Sequence, residues 1–300
     1  MNVLASAQEL IASGFRRIVS GDPDGQPEWV RELAHGMDAG YFGPGSAPWA
    51  VHGSLPTLVG GVRALLTQTL HPAALAGVRQ HSRYESDALG RLVGTSQWLT
   101  VTTFGDTVSV DRECARVKGM HRRVTGEFAD ASGASQAYAA SDPNLLRWVH
   151  IAFTESFLAT HLVWGGKIPG GPDAYVREWA KAGELVGVTD VPRSHAELKE
   201  AMASYSDVLR GDSDTWDTVR FIRQVPLPRA AGPAYAVLFA GAASTLSAEQ
   251  ARLLRIRRTP LAVTRPTVAA ALGALSLAVG SQSGALRNAR HRISRLNVAA

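Results

Sequence analysis

Histidines are the side chains of this sequence best suited to chemistry, and four of its nine are candidates for a core or a ligand position: His71, His121, His150 and His161. A neutral imidazole can bind a metal, move a proton, or hydrogen-bond within a core. Around His121 the apolar positions are spaced by four, three, four and three, through Val110, Cys114, Val117, His121 and Val124. This repeat is typical of the buried face of a helix. It turns His121 inward and leaves open whether the ring is a ligand or an ordinary core residue.

Two further segments place polar side chains on one side of a predicted helix. Between residues 142 and 163, steps of four, three and four align His150, Thr154, Phe157 and His161. A helix that begins near Asp87 aligns Arg91, Thr95 and Trp98. An arginine at the edge of an apolar face needs a partner, which a haem propionate, an acidic substrate, a surface carboxylate or the Trp98 ring would provide. The spacing alone does not choose among these partners.

The common catalytic signatures are missing from the sequence, which contains no HExxH, CxxC, GxSxG or GxGxxG motif. The stretch "GGKIPGG", residues 165–171, has the composition of a phosphate-binding loop but the wrong order, and it predicts a turn between helices. His195 and Glu197 form an HxE pair, but with Ser194 they fit a helix-capping box. We therefore predict no non-haem metal site there.

Composition limits the class of protein. A single cysteine among 300 residues excludes an internal disulfide and favours a reduced, cytoplasmic location. The net charge of +5 comes from 31 basic and 26 acidic residues, which is a weak signal, and we expect no nucleic-acid partner. The apolar stretch at 268–280 is shorter than the roughly 20 residues that span a bilayer. It predicts a buried or hairpin helix and no stable membrane insertion.

The predicted architecture is all-α, a single globular helical domain over residues 1–300. Residues 22–56 are rich in glycine and proline and predict an irregular segment that wraps the core. Helices are predicted from Leu58 to Leu70, after Pro72, and from Asp87 through "LTVTTFG" at 99–105. The helix that carries His121 is predicted to begin at Asp106 or Thr107 and to end at Gly126.

Four stretches resemble motifs of the MpaB-like oxygenase family, also known as DUF2236, in order and approximate spacing. They are "TLHPAALAGVRQHS", "DALGRLVGT", "FGDTVSVDRECARVKGMHRRVTG" and "YAASDPNLLRWVHIAFTESFL". Latex-clearing proteins, which cleave rubber oxidatively, are the haem b members of this family. The resemblance covers roughly residues 25–225 and is strongest from His71 to Leu158.

This resemblance implies a helical fold that encloses one haem b, whose iron is held by the histidine of "VKGMHRRV", here His121. It also implies that Arg91 and Thr95 flank the haem pocket and take part in catalysis. His150, from the "WVH" motif, matches a residue that supports the site. We include Thr154, one turn further along the same stripe, among the predicted cofactor-binding residues.

Two departures from the latex-clearing pattern argue against rubber cleavage. Gly94 stands where those relatives have a lysine, and "AALAG" has no acidic residue where they have a catalytic base. The sequence therefore predicts a haem-dependent oxygenase or oxidase that uses O₂ or peroxide on a smaller hydrophobic molecule. Two alternatives remain: a non-catalytic haem carrier or sensor, and a basic helical protein without a cofactor that binds nucleic acid. The oligomeric state is left open.

Overall fold

The structure is a computed structural model, and it describes residues 3–81, 87–280 and 282–299. Most of these residues lie in helices. The α-helices are α1 (Val3–Ser20), α2 (Glu28–Glu32), α3 (Ala47–His52), α4 (Pro56–Gln68), α5 (Pro72–His81), α6 (Ala88–Phe104), α7 (Thr107–His121), α8 (Pro143–Trp164), α9 (Gly171–Val186), α10 (His195–Ala203), α11 (Ser213–Arg223), α12 (Gly232–Ser244), α13 (Ala248–Leu253), α14 (Leu261–Val279) and α15 (Gly284–Ala299). The mostly α-helical fold predicted from the sequence is confirmed.

The centre of the fold is the pair α4 and α8, which pack along each other. Gly60 permits this close approach, because a Cβ atom there would lie 2.6 Å from Cδ1 of Phe157. The buried Arg63 of α4 forms an ion pair with Glu155 of α8, and its Nη1 also donates to Ser156 at 2.9 Å. Around this pair lie α3, α9, α10 and α12. The core is therefore built on the helix that carries His150 and His161.

Local capping signals predicted the helix starts well. The Asp142 carboxylate accepts from the backbone N–H groups of Asn144 and Leu145 at the start of α8, and Asp106 caps α7 in the same way. Ser194 caps α10, but the Glu197 carboxylate accepts from the N–H of Arg193 at 2.8 Å. The predicted reciprocal capping box is therefore only half formed.

The predicted end of the His121 helix is wrong. Helix α7 ends at His121, and Gly126 lies in strand β1 (Thr125–Ala129), which pairs antiparallel with β2 (Ser135–Ala139). Gly126 is opposite Tyr138 in this hairpin, and the turn that joins the strands contains Gly133 at φ +85°. Each strand has only five residues, so the alternation of apolar and polar side chains is too short to predict a strand from the sequence.

The segment 268–280, predicted to be a buried or hairpin helix, is not a buried helix. The segment belongs to the longer helix α14, which continues through Arg265 and Pro266 and buries the side chains of Thr264, Val268 and Leu272. These three positions, four residues apart, form one stripe, and most of the remaining surface of the helix faces outward. By length and composition, α14 is the one helix among the described residues that could cross a membrane.

Candidate functional site

Helices α6 and α7 form an antiparallel pair joined by Gly105 and Asp106, and the pair positions three of the predicted site residues. Gln97 Nε2 donates to Glu113 Oε2 at 3.1 Å, which fixes the register of the two helices. Arg91 lies six residues before Gln97, and His121 lies eight residues after Glu113, so both lie beyond this bond on the side away from the Gly105–Asp106 connection. Arg91, near the start of α6, and His121, the last residue of α7, therefore belong to the same end of this helix pair.

The imidazole of His121 lacks a hydrogen-bond partner where one is expected. Its Nδ1 is buried and has no partner among the described residues. Burial lowers the pKa of His121, so the neutral ring is the favoured form. A buried nitrogen without a partner is uncommon in a folded protein, and a metal or a ligand is one way to satisfy it. The Nδ1 of His121 is therefore a polar atom that the described residues leave without a partner.

The first half of α6 is more open than its second half. Arg91 and Thr95 are half-buried, whereas Val101, Phe104 and their neighbours are buried. A Cβ atom added at Gly94 would meet nothing within 4 Å. The Thr95 hydroxyl donates to the Arg91 carbonyl at 3.2 Å, so its lone pairs remain available to a ligand. Ser82, the last residue of the first family motif, lies outside the described residues.

A small apolar cluster lies between this helix pair and α9. It contains Val110, Cys114 and Val117 from α7 with Val186 and Val188, and Trp98 of α6 packs against it. The pKa of the Cys114 thiol is raised, because the effect of burial is larger than the opposing effect of the nearby Thr102 and Trp98 side chains. Neither Trp98 Nε1 nor Thr102 Oγ1 has a hydrogen bond of normal geometry among the described residues. Cys114 is therefore a core residue, as its position on the apolar stripe predicts.

His150 approaches the same cluster from α8. Leu146, one turn before it, packs against the cluster, and so does Val191. A Cβ atom at Gly183 of α9 would lie 2.9 Å from Cε1 of His150, so glycine makes room for the ring. Burial lowers the pKa of His150 to about 4. His121 and His150 each lie one helical turn from a residue of this cluster, His121 after Val117 and His150 after Leu146.

The remaining residues of the predicted α8 stripe have local roles. The Thr154 hydroxyl donates to the His150 carbonyl at 2.7 Å. His161 is buried, and its Nδ1 and Nε2 lie 3.1 Å from Ser54 Oγ and 3.1 Å from the Gly166 carbonyl. Eleven residues of helix separate His161 from His150, about 16 Å along the axis. The two histidines therefore share a stripe but do not belong to one site.

The sequence gives no signal for His52, a buried histidine that has a partner at each ring nitrogen. Its Nδ1 lies 2.8 Å from Thr103 Oγ1 and its Nε2 lies 2.9 Å from the Tyr175 hydroxyl. Burial lowers its pKa to about 3. Its ring also packs edge-on against Trp179, with centroids 4.3 Å apart. His52 lies in a segment that the glycine and proline content predicted to be irregular, and α3 has only six residues.

A second group of unpartnered polar atoms surrounds His71, at the start of α5. The buried atoms His71 Nδ1 and Thr67 Oγ1 have no hydrogen-bond partner among the described residues, whereas Arg210 Nε lies 3.4 Å from Asp212 Oδ2 in an ion pair. Burial lowers the pKa of His71 to about 4. The ring lies 6.0 Å from those of Trp148 and Tyr205. His71 is therefore the second histidine, after His121, whose surroundings leave a nitrogen unsatisfied.

A cavity of about 50 Å³ lies near the other side of the α6–α7 pair, with Trp29, Gln97, Val101, Arg112 and Glu113 in its wall. Its lining includes none of the predicted site residues. Within the described ranges, no group of three or more histidine, cysteine, aspartate or glutamate side chains is arranged to hold a metal ion. A single axial histidine, as in haem proteins, needs no such group.

Comparison with protein families identifies the chain. The family model described as "ER-bound oxygenase mpaB/B'/Rubber oxygenase, catalytic domain" matches residues 49–277, about three quarters of the sequence. The chain belongs to this family. The matched range contains α4–α13, nearly all of α14, and every predicted site residue. No curated protein and no solved structure gives a significant match. The mpaB-like identification made from the motifs is confirmed, and the protein is an oxidoreductase of an oxygenase family.

Proposed function

We propose that the protein is a haem b-dependent oxygenase or oxidase that acts on a hydrophobic small molecule, with His121 as the axial iron ligand. The observation that carries the proposal is the buried Nδ1 of His121, which has no partner in the described structure. Haem iron would supply the chemistry of O₂ or peroxide, which no side chain of this protein can provide alone. The chain would contribute ligation, orientation and the exclusion of water.

The other predicted site residues have side chains that fit the remaining needs of a haem. The half-buried guanidinium of Arg91 is suited to a carboxylate such as a haem propionate, and the Thr95 hydroxyl has acceptor capacity. The open space at Gly94 leaves room beside them. His150, neutral because it is buried, adds a polar ring on the α8 side without adding a charge. Thr154 would act through the His150 carbonyl rather than through the cofactor.

The proposed substrate class rests on two positions at which latex-clearing proteins have a charged side chain and this chain has none. Gly94 provides no lysine and "AALAG" no carboxylate, so acid-base chemistry of the rubber-cleaving kind has no candidate side chain there. A smaller apolar substrate needs no such groups for binding. The same two departures support a second candidate function, a non-catalytic haem carrier or sensor. Turnover of an organic substrate with O₂ or peroxide distinguishes the two functions.

We place the protein in the cytoplasm, because its single, buried cysteine needs no oxidising compartment. The family description includes ER-bound members. A cytoplasmic protein held at a membrane surface satisfies both considerations.

The proposal is tested by the absorption spectrum of the purified protein, before and after addition of haemin. We expect a Soret band and saturable binding with one haem per chain. Arg91→Ala should weaken haem retention by about tenfold, as is typical of residues that support a cofactor. The matched change Arg116→Ala removes an arginine that pairs with Glu113 on α7, and it should leave haem binding unchanged. A colourless protein that does not take up haemin would refute the proposal.

A further inference from the structure

Aromatic rings form a chain that leads from the predicted pocket into the core. Trp98 is half-buried and lies on the side of α6 that also carries Arg91 and Thr95. The centroid of its ring lies 6.0 Å from that of Trp179 of α9. Trp179 is buried, and its ring centroid lies 4.3 Å from that of His52. The chain of rings therefore begins one helical turn from Thr95 and reaches a histidine outside the predicted site.

Tyr175 completes this chain through a hydrogen bond to His52. The Tyr175 hydroxyl lies 2.9 Å from His52 Nε2, and the planes of the two rings are nearly perpendicular, at 87°. Tyr175 has no exposed surface, and His52 is also buried. The phenol and the imidazole therefore meet inside the core, away from solvent.

The neighbours of His52 determine which of its nitrogens carries the proton. The Thr103 hydroxyl donates to the Leu99 carbonyl at 2.7 Å, so the same oxygen must accept from His52 Nδ1, which lies 2.8 Å away. In a neutral imidazole one nitrogen is a donor and the other an acceptor, so Nε2 has the free lone pair. The Tyr175 hydroxyl therefore donates its proton to the lone pair of Nε2.

Both groups are neutral in the resting protein. Burial lowers the pKa of His52 to about 3, with a smaller contribution from the nearby His161. Burial also raises the pKa of the Tyr175 phenol well above its ordinary value. A phenol becomes a strong acid when it loses an electron, and an imidazole nitrogen at hydrogen-bond distance then takes up the proton. Oxidation of Tyr175 would therefore move a proton to His52.

Among the described residues, Tyr175 is the one buried tyrosine with a nitrogen base beside its hydroxyl. The hydroxyl groups of the other tyrosines that are buried or half-buried donate to carbonyl or amide oxygens, which do not take up a proton near neutral pH: Tyr138, Tyr205 and Tyr235. The exposed hydroxyl of Tyr41 donates to the Asp111 carboxylate. The hydrogen bond to His52 therefore distinguishes Tyr175 from the other tyrosines of the core.

We propose that Tyr175 and His52 form a redox-active pair that stores one oxidising equivalent, with Trp98 and Trp179 as relays from the predicted pocket. One electron leaves Tyr175 through the relays and reduces a one-electron oxidant. The phenolic O–H bond breaks, and its proton forms an N–H bond with His52 Nε2. The products are a neutral tyrosyl radical and an imidazolium. In the working enzyme the oxidant would come from O₂ or peroxide chemistry at the site, and this part alone rests on the proposed function.

The hydrogen bonds around His52 make this step reversible. The N–H group at Nδ1 points to Thr103, whose own proton is donated to the Leu99 carbonyl, and a carbonyl does not pass a proton on. The transferred proton therefore stays beside Tyr175 and returns to it when an electron returns through the relays. A reversible store of this kind takes up an oxidising equivalent that is formed when no substrate is bound.

Flash photolysis of the haem-free, full-length protein tests the pair without its cofactor. Photo-oxidised tris(bipyridine)ruthenium serves as the one-electron oxidant, and transient absorption and freeze-quench electron paramagnetic resonance detect the radical. Every sample carries Tyr41→Phe and Tyr84→Phe, so that these two tyrosines give no signal. We expect a neutral tyrosyl radical that forms more slowly in D₂O and decays without loss of tyrosine. Tyr175→Phe, which removes only the hydroxyl, should abolish the signal. The matched control Tyr205→Phe removes another buried hydroxyl and should retain it.

Two further variants test the roles of the base and of the relay. His52→Gln keeps an oxygen that accepts a hydrogen bond but takes up no proton, so the radical should form about 100-fold more slowly, as expected for loss of a positioned base. Trp179→Phe keeps an aromatic ring that is much harder to oxidise, so it should also slow radical formation. Circular dichroism must first show that each variant is folded.

Three results would each overturn the proposal: a radical that persists in Tyr175→Phe, equal rates for His52→Gln and its parent, or an equal loss of signal in Tyr205→Phe. The outcome is separate from that of the haem titration. A protein that forms this radical but binds no haem would refute the proposed function and support the redox pair, and a haem protein without the radical would do the reverse.

Discussion

Two buried regions of this protein treat histidine in opposite ways. Between α3, α6 and α9, His52 has both ring nitrogens within hydrogen-bond distance of hydroxyl groups, at 2.8 and 2.9 Å. At the end of α7, His121 is only half-buried, yet its Nδ1 is enclosed and unpartnered. The pKa of both rings is lowered by burial. Burial therefore does not separate a structural histidine from a candidate ligand, whereas the bonding of each nitrogen does.

This difference predicts which histidines support the stability of the fold and which support ligand binding. A ring with two bonded nitrogens and aromatic neighbours belongs to the core, and its loss should affect folding. A ring with an unsatisfied nitrogen contributes little to the fold without a ligand, and its loss should affect ligand binding. His161 follows the pattern of His52, while His71 shares the unsatisfied Nδ1 of His121.

The largest expected effect is on stability, from His52→Ala. This change removes a buried ring and leaves the Tyr175 hydroxyl without its partner, so it should lower the free energy of unfolding by about 3–5 kcal/mol. The matched change His121→Ala should lower it by about 1 kcal/mol or less in the haem-free protein, because no hydrogen bond of the ring is lost. Urea denaturation monitored by circular dichroism measures both. Equal losses would remove the distinction between the two regions.

Acid should destabilise the His52 region. The folded protein holds the pKa of His52 at about 3, while the unfolded chain takes up a proton near the ordinary value of 6.5. The stabilising contribution of the neutral ring is therefore complete above pH 6.5 and is lost as the pH falls toward 3. The slope contributed by one such histidine is at most about 1.4 kcal/mol per pH unit.

Urea unfolding at several pH values between 4 and 7 should show a flatter dependence for His52→Gln than for the unchanged protein. Because burial also lowers the pKa of His71 and His150 to about 4, part of the slope should remain in the variant. Identical slopes would show that His52 does not titrate as its surroundings require.

Two glycine-to-alanine substitutions test how much space the structure leaves beside His150 and in the first half of α6. Gly183→Ala would bring a Cβ atom within 2.9 Å of the His150 ring, and should destabilise the protein by about 1–3 kcal/mol. Gly94→Ala, in α6, meets nothing within 4 Å and should stabilise the haem-free protein by about 0.5–1 kcal/mol. Thermal unfolding of the two variants measures both signs. Destabilisation by Gly94→Ala would show that the space there is filled.

Helix starts were readable from the sequence because their determinants are local. Asp106 and Asp142 cap helices through backbone groups two or three residues away, so a short window contains the whole signal. The inward direction of His121 was likewise readable from the spacing on α7. The order and spacing of the four motifs also predicted the family, and the family match over residues 49–277 confirms that prediction.

The features that the sequence did not reveal depend on distant residues. His52 is defined by Thr103 and Tyr175, which are 51 and 123 residues away. The exposure of α14 depends on which neighbours cover it, and hydropathy alone favoured a buried helix. Gly126 was predicted to end α7, but it lies in strand β1, whose hydrogen bonds come from the distant partner strand β2. The enclosure of the His121 nitrogen is also a property of packing, so only the structure shows it.

The central claim is that His121 holds the iron, and the haem spectra of His121→Ala and His150→Ala test it most directly. Both variants must first show the helix content of the unchanged protein by circular dichroism. We predict that His121→Ala loses the Soret band or shifts it, and that added imidazole restores it by occupying the vacated position. His150→Ala should retain the band and lose at most about 10 to 100-fold in haem affinity. A normal spectrum for His121→Ala together with loss of haem from His150→Ala would contradict the claim and make α8 the ligand-bearing helix.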